Sequence, residues 1–236
     1  MNYNPLMQTN IEITRAFMET PDGVLSIHQI SRKLKLPYGT AYNRIHILTE
    51  QGIVQMLPQG KAKLCALNPE NPMTASLLAL GSAQKTDLFM RHNPGPGVLL
   101  KKIRTTIKES CPDSVLTAIL LTPDILHILS PEASANDEHN PMRKMDLSLD
   151  FFFISSDPGF DGSEIENQLS RLIPPGISAK ITNMTLDRNT LLGMFAENEN
   201  EAGLAAYTML HEGLVIFGFE NFYTLILEAF ARKLAG

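Results

Sequence analysis

Cysteine is scarce in this 236-residue chain: Cys65 and Cys111 are the only two, and they lie far apart. Such a pair argues against a disulfide framework and reads as two reduced, mostly buried thiols. Long apolar runs are missing as well. None reaches the ~20 residues that a membrane-spanning helix needs, and the hydrophobic content of 44% is that of a globular protein. The opening MNYNPLMQTN has neither the basic stretch nor the apolar core of a secretory signal, so a cytoplasmic protein is expected. Also lacking are a glycine-rich phosphate loop of the P-loop or dinucleotide kind and any Ser/His/Asp or Cys/His set. Those enzyme classes have no foothold here.

Charge is present but unevenly spread. The net charge is −5, yet residues 26–63 hold Arg32, Lys33, Lys35, Arg44, Lys61 and Lys63 against a single acid, Glu50. Residues 71–236 hold 13 basic and 20 acidic side chains. A small basic module is thus joined to an acidic body, and the basic part favours an anionic partner.

Apolar spacing predicts a helix over 10–20 through Ile13, Ala16 and Phe17, stopped by TPDG. Ser26 is placed to cap IHQISRKLK, in which Ile27, Ile30 and Leu34 share a face. After the turn LPYGT, the segment TAYNRIHILTEQG aligns Ala41, Ile45 and Leu48 and ends at Gly52, a helix stop. IVQMLPQGKAKLCAL reads as a hairpin with its tip at Pro58–Gly60. A further helix covers 74–90, and its Leu77, Leu78 and Leu80 suggest a dimer contact. HNPGPG (92–97) reads as the boundary between domains, since Pro and Gly alternate there. Beyond it strands and helices alternate. In order they are a helix, the strand SVLTAILL, a long polar stretch, the strand in KMDLSLDFFFIS, and a helix with a capping box between Ser163 and Glu166. The strand ISAKITNM, two helices, the buried run LVIFG and a closing helix complete the chain, which suggests a small sheet packed by helices.

A helix, a short turn, a second helix and a basic hairpin match the helix-turn-helix plan, in which the later helix enters the major groove. With Ala41, Ile45 and Leu48 toward the core, steps of about 100° put Tyr42, Asn43 and His46 outside. Tyr38 and Thr40 lie at the helix entrance. Asn43 suits bidentate pairing with adenine, and Tyr42 a thymine methyl or a phosphate. Arg44, Lys61 and Lys63 suit phosphates, which supply affinity without sequence information. The plainer alternatives are that the tyrosines are partial core, that Lys33 and Lys35 form a solvated face, and that His46 is an ordinary surface histidine.

Residues 10–68 resemble a winged helix-turn-helix of the MarR/ArsR-like type, on SIHQISRKLKLPYGTAYNRIHILTEQGIVQ with the Thr40–Ala41 start, Leu48, and the Glu50–Val54 exit into the wing. The resemblance implies duplex DNA as the partner. An alternative is a winged helix that makes protein contacts only.

From Val98 onward the order of elements resembles the minimal nucleotidyltransferase fold of the polymerase-beta type, most closely over ISAKITNMTLDRNTLLGMFAENENEAGLAAYTMLHEGLVIFGFENFYTLI. Activity in that family implies a Gly-Ser pair after the first strand, a D-x-D on the second and a third carboxylate on the next, together holding two Mg²⁺ ions. Here SVLTAILL continues into Thr122, Pro123 and Asp124. Ser148-Leu149-Asp150 stands where D-x-D belongs, and the strand 177–184 has Lys180 but no acid. Asp146 and Asp150 share a face with Ser148, but their Cα atoms are about 13 Å apart. One ion at ~2.1 Å from each carboxylate cannot bridge that distance. Asp150 alone remains as a metal candidate. His127 and His139, with Asp137 and Glu138, flank the polar stretch without the spacing that would converge them.

The expected fold class is therefore α+β. It comprises a winged helix-turn-helix over 1–70, a connecting helix and Pro/Gly linker over 71–97, and a nucleotidyltransferase-like small mixed sheet packed by helices over 98–236, with no catalytic residues. The expected function is DNA-binding transcriptional regulation, with the C-terminal module silent and serving dimerisation or sensing. The alternative is an active, Mg²⁺-dependent nucleotidyltransferase; otherwise no cofactor is expected. Expected partners are duplex DNA, a second copy of the chain and an unidentified small-molecule effector, with no membrane.

Overall fold

A computed structural model describes residues 5–20, 23–59, 62–110, 113–130, 147–175, 177–196 and 201–235. The chain is α+β and divides into two compact units, one of residues 1–81 with 223–236 and one of residues 82–222. Among the described residues no helix is long and apolar enough to cross a membrane.

The first unit opens with α1 (Pro5–Met18), followed by β1 (Val24–Ser26), α2 (Ile27–Lys33) and α3 (Tyr38–Glu50). A hairpin of β2 (Val54–Gln59) and β3 (Ala62–Leu67) follows, and with β1 it makes a three-stranded antiparallel sheet in the order β1-β3-β2. Ser26 caps α2 in a full capping box. Its hydroxyl accepts from the Gln29 N–H at 3.2 Å and its own N–H donates to Gln29 Oε1 at 2.8 Å. Two of the orphan N–H groups of the helix start are thereby satisfied. Lys35 takes a left-handed turn at φ 53°, and Pro37 enters α3 with φ −54°, which its ring pre-sets.

At the other end of α3, Gly52 sits at φ +71°. Its N–H bonds to the Thr49 carbonyl and that of Ile53 to the Leu48 carbonyl, both at 2.9 Å. This paired closure needs a left-handed residue, which glycine adopts without steric cost. Ala41, Ile45 and Leu48 are fully buried, so the expected core face of α3 is the observed one.

The hairpin departs from expectation in one respect. Val54 through Gln59 all pair with β3, with Pro58 opposite Lys63 and Gln59 opposite Ala62. Pro58 therefore lies inside a strand, not at the tip. It is tolerated because β2 is at the edge of the sheet, where a missing N–H breaks no ladder bond.

α4 (Pro72–His92) runs from the first unit into the second, the division falling after Gly81. The expected dimer stripe on it is not open: Leu77 and Leu78 are buried within the chain and Leu80 is half-buried. A second copy cannot reach the first two.

In the second unit, α5 (Pro94–Ser110) begins with the PGPG that reads in the sequence as a linker. Proline is at home in a first turn, where its N–H would have no partner, so Pro94 and Pro96 do not prevent the helix. Gly95, Pro96 and Gly97 are buried. A Cβ at Gly97 would lie 2.6 Å from the Met90 carbonyl oxygen, so glycine is what lets this turn approach α4. The chain breaks between helices there, but the compact units are divided elsewhere.

β4 (Val115–Leu120), α6 (Ile125–Leu129), β5 (Leu147–Ser155), α7 (Ser163–Ser170), β6 (Ala179–Asp187), α8 (Arg188–Ala196), α9 (Glu201–His211) and β7 (Leu214–Phe217) follow, and α10 (Phe219–Ala235) ends the chain, counted with the first unit from Tyr223 on. The sheet order is β6-β5-β4-β7, with β5 and β6 parallel and the other pairs antiparallel. β5 is thus the interior strand that its aromatic run suggests. Leu147, Leu149, Phe151 and Phe153 join α5 and α7 in one core through residues such as Leu100, Ile103, Ile165 and Leu169.

Two local expectations fail in this unit. The start of α7 has no Ser163–Glu166 box: Gly162 is the cap residue, with no side-chain cap bond. Asp161 instead accepts from both the N–H and the hydroxyl of Ser163 at 2.9 Å, which holds its carboxyl below the usual range. Glu166 reaches away to Asn183, accepting from its backbone N–H at 3.0 Å and its side-chain amide at 2.7 Å. It thereby satisfies an outward N–H of edge strand β6. And β6 does not stop at Met184 but continues to Asp187.

Candidate nucleic-acid interface

α3 presents an outward face because its inward one is committed to the core. Tyr38, Thr40 and Asn43 are exposed, while Tyr42, Arg44 and His46 are half-buried. The aromatic members form a run. His28, at the start of α2, lies 6.0 Å from Tyr38 between ring centres; Tyr38 lies 6.2 Å from Tyr42, and Tyr42 is 4.4 Å from His46. The tyrosines are neither core nor fully free: Tyr38 is 50% exposed.

Lys63, on β3, closes one side of this run. Its Nζ donates to the Tyr42 hydroxyl at 3.3 Å and lies 4.8 Å from the ring centre. A cation over the ring face is held by the ring quadrupole as well as by the hydrogen bond, so the ammonium of the hairpin is held beside the helix. The remaining charges sort by environment. Lys33 pairs with Glu19 at 3.0 Å, an exposed pair worth little to stability. Arg32 and Lys35 are exposed. Lys61 lies outside the described residues.

His28 and Ile47 belong to this surface but are absent from the sequence-derived set. Ile47 is 36% exposed on the outward side of α3. The signal for it was available: steps of about 100° from the Ala41–Ile45–Leu48 face put position 47 outside. His28 gives no such signal, because its nearness to Tyr38 depends on the turn between α2 and α3.

In the second unit the surroundings of Asp150 are built from hydroxyls. Its Oδ1 accepts from both Ser148 Oγ and Thr182 Oγ1. Its backbone N–H donates to Thr122 Oγ1 at 3.0 Å, and that hydroxyl donates to the Ser148 carbonyl at 3.2 Å. Thr182 stands directly opposite Asp150 in the parallel register, the nearest position on β6 for a third carboxylate. Asp187, the acid that the longer β6 brings in, is paired with Ser155. It lies five residues, roughly 16 Å, along the strand from Thr182. It accepts from the Thr190 N–H at 2.9 Å at the start of α8, and this bond keeps its carboxyl below the ordinary range. Asp146 lies outside the described residues, as do His139, Asp137 and Glu138. His127 packs edge-on against Phe89 at 6.1 Å. Among the described residues no group of three His, Cys, Asp or Glu side chains is gathered for a metal. A polar cleft of about 530 Å³ opens beside α7 and the first residues of β6, lined by Glu166, Asn167, Ser170 and Lys180.

Comparison with protein-family models, with curated proteins and with solved structures finds no match to this chain.

Proposed function

We propose that the chain is a DNA-binding transcriptional regulator whose first unit is a winged helix-turn-helix. One observation carries the reading: the outward face of α3 gathers Tyr38, Thr40, Asn43 and the Tyr42–His46 pair beside Lys63 of the hairpin. The element order α1-β1-α2-α3-β2-β3 and the sheet order β1-β3-β2 support it. So does the basic charge of 26–63. α3 docks in the major groove, Asn43 reads a base edge, and Arg44 and Lys63 meet phosphates. The regulator acts as a homodimer on a two-fold site, through a surface other than Leu77 and Leu78.

The second unit is a nucleotidyltransferase-like module that serves dimerisation or sensing and is catalytically silent. The order β6-β5-β4 with interleaved helices favours that ancestry. The hydroxyls of Ser148 and Thr182 around Asp150 favour silence, since carboxylates are what two Mg²⁺ ions require.

The test is binding of the full chain to random-sequence duplex DNA across a salt series. Expected is affinity that falls steeply with salt as counterions are released, and an altered sequence preference for Asn43→Ala. No duplex affinity at low salt would refute the reading.

A further inference from the structure

The outward arc of α3 has a chemical bias that bears on which base pairs it accepts. In order around the helix the arc runs from Tyr42 and His46, on the side that Lys63 closes, through Gly39 and Asn43, to Thr40 and Ile47. No Arg or Lys stands on it: Arg44, the one cation of α3, is half-buried, and helical steps place it off the arc, about 60° around the helix from Ala41. Bidentate reading of guanine needs an Arg or Lys. Adenine needs Asn or Gln, and the thymine methyl needs an apolar side chain. The arc offers both of the latter. Asn43 is exposed, and Ile47, one turn on, is 36% exposed. Four residues of helix advance about 6 Å, a little under two base-pair steps of about 3.4 Å. Glu50, also outward, lies about 10 Å along the axis from Asn43, at the far end of the helix.

We infer that Ile47 is a specificity-determining residue: it packs on a thymine methyl about two base-pair steps from an adenine held by Asn43, so that α3 selects A·T pairs. The inference rests on the DNA-binding reading and names what that interface prefers. Tyr42, tied to Lys63, lies on the hairpin side and faces the sugar-phosphate edge. A single exposed apolar side chain needs no explanation on an ordinary surface. Here it shares an arc with the one exposed amide of α3.

The experiment selects duplexes from a random library with the full chain, then replaces the thymines of the selected duplex one at a time by deoxyuridine, which removes only the methyl. Expected is a consensus containing two A·T pairs about two steps apart, with one thymine whose replacement weakens wild-type binding about four-fold, the worth of burying one methyl-sized group. Ile47→Ala binds the thymine duplex weaker by a similar factor and does not distinguish deoxyuridine there. The wild-type arm needs no variant, and Ile47 is exposed enough that truncating it spares the core. The inference is overturned if the wild type binds every deoxyuridine duplex as it binds thymine, if Ile47→Ala keeps the full discrimination, or if the consensus is made of G·C pairs. In each of these cases duplex binding persists, and the DNA-binding reading stands. Absence of duplex binding at low salt overturns both.

Discussion

Replacing Gly97 by alanine tests whether PGPG is a flexible linker or the packed first turn of α5. Two effects compete. Alanine is favoured over glycine in a helix by about 1 kcal/mol, partly because the unfolded chain loses freedom. Against this, the new Cβ would lie 2.6 Å from the Met90 carbonyl oxygen and 3.1 Å from Met90 Cα. An ordinary carbon–oxygen contact is about 3.3 Å or longer, and both neighbours are backbone that cannot rotate away. α5 must recede by roughly 0.7 Å, an overpacking that costs about 1–3 kcal/mol. The clash wins, and Gly97→Ala loses roughly 1 kcal/mol net. Gly193 supplies the control. It is exposed within α8, and a Cβ there meets nothing within 4 Å, so the same substitution gains up to about 1 kcal/mol. Thermal melts should separate the two variants by about 4–8 °C on the scaling for chains of this length. Gly97→Ala with stability equal to or above wild type would refute the packed turn, since that is what a linker gives.

The interface is tested by its salt dependence. Each phosphate neutralised contributes about 0.9 to the slope of log K against log salt, so losing Arg44 and Lys63 together should reduce the slope by about 1.8. Between 50 and 200 mM salt, the wild type should therefore lose roughly ten-fold more affinity than the double Ala variant; an unchanged slope would remove both residues from the phosphate contacts. Cys65 gives a pH signature, because burial raises its thiol from 9.0 to about 11. The folded chain keeps a proton that the unfolded chain releases, so the stabilisation is complete below pH 9.0 and is lost as pH rises toward about 11. In a Cys111→Ser background, urea midpoints should fall over that window more than they do when Cys65 is also replaced by Ala; parallel curves would contradict the shift.

The parts legible in the sequence are those governed by neighbours a few residues apart. The core face of α3, the capping of α2 by Ser26 and the stop at Gly52 all follow from helical period and cap chemistry, and each is present. The alternation of β5 foretold which side of Asp150 meets the core, because strand side chains alternate whatever their partner. The outward place of Ile47 follows from the same helical arithmetic.

What only the tertiary structure decided depends on residues far apart in sequence. Lys63 over Tyr42 needs the hairpin folded back beside α3. Thr182 opposite Asp150 needs the register of two strands joined through α7, which no local period encodes. The proximity of the PGPG turn to Met90 decides that it is helix, since proline and glycine signal a break until packing satisfies the turn. Glu166 left the expected capping box for the open edge of β6, where a backbone N–H had no other partner in the sheet. In the sequence Leu77 and Leu78 look the same whether a second copy or their own chain covers them, and the fold buries them in the chain. Local patterns determine which side of an element is apolar; only packing determines what lies against it.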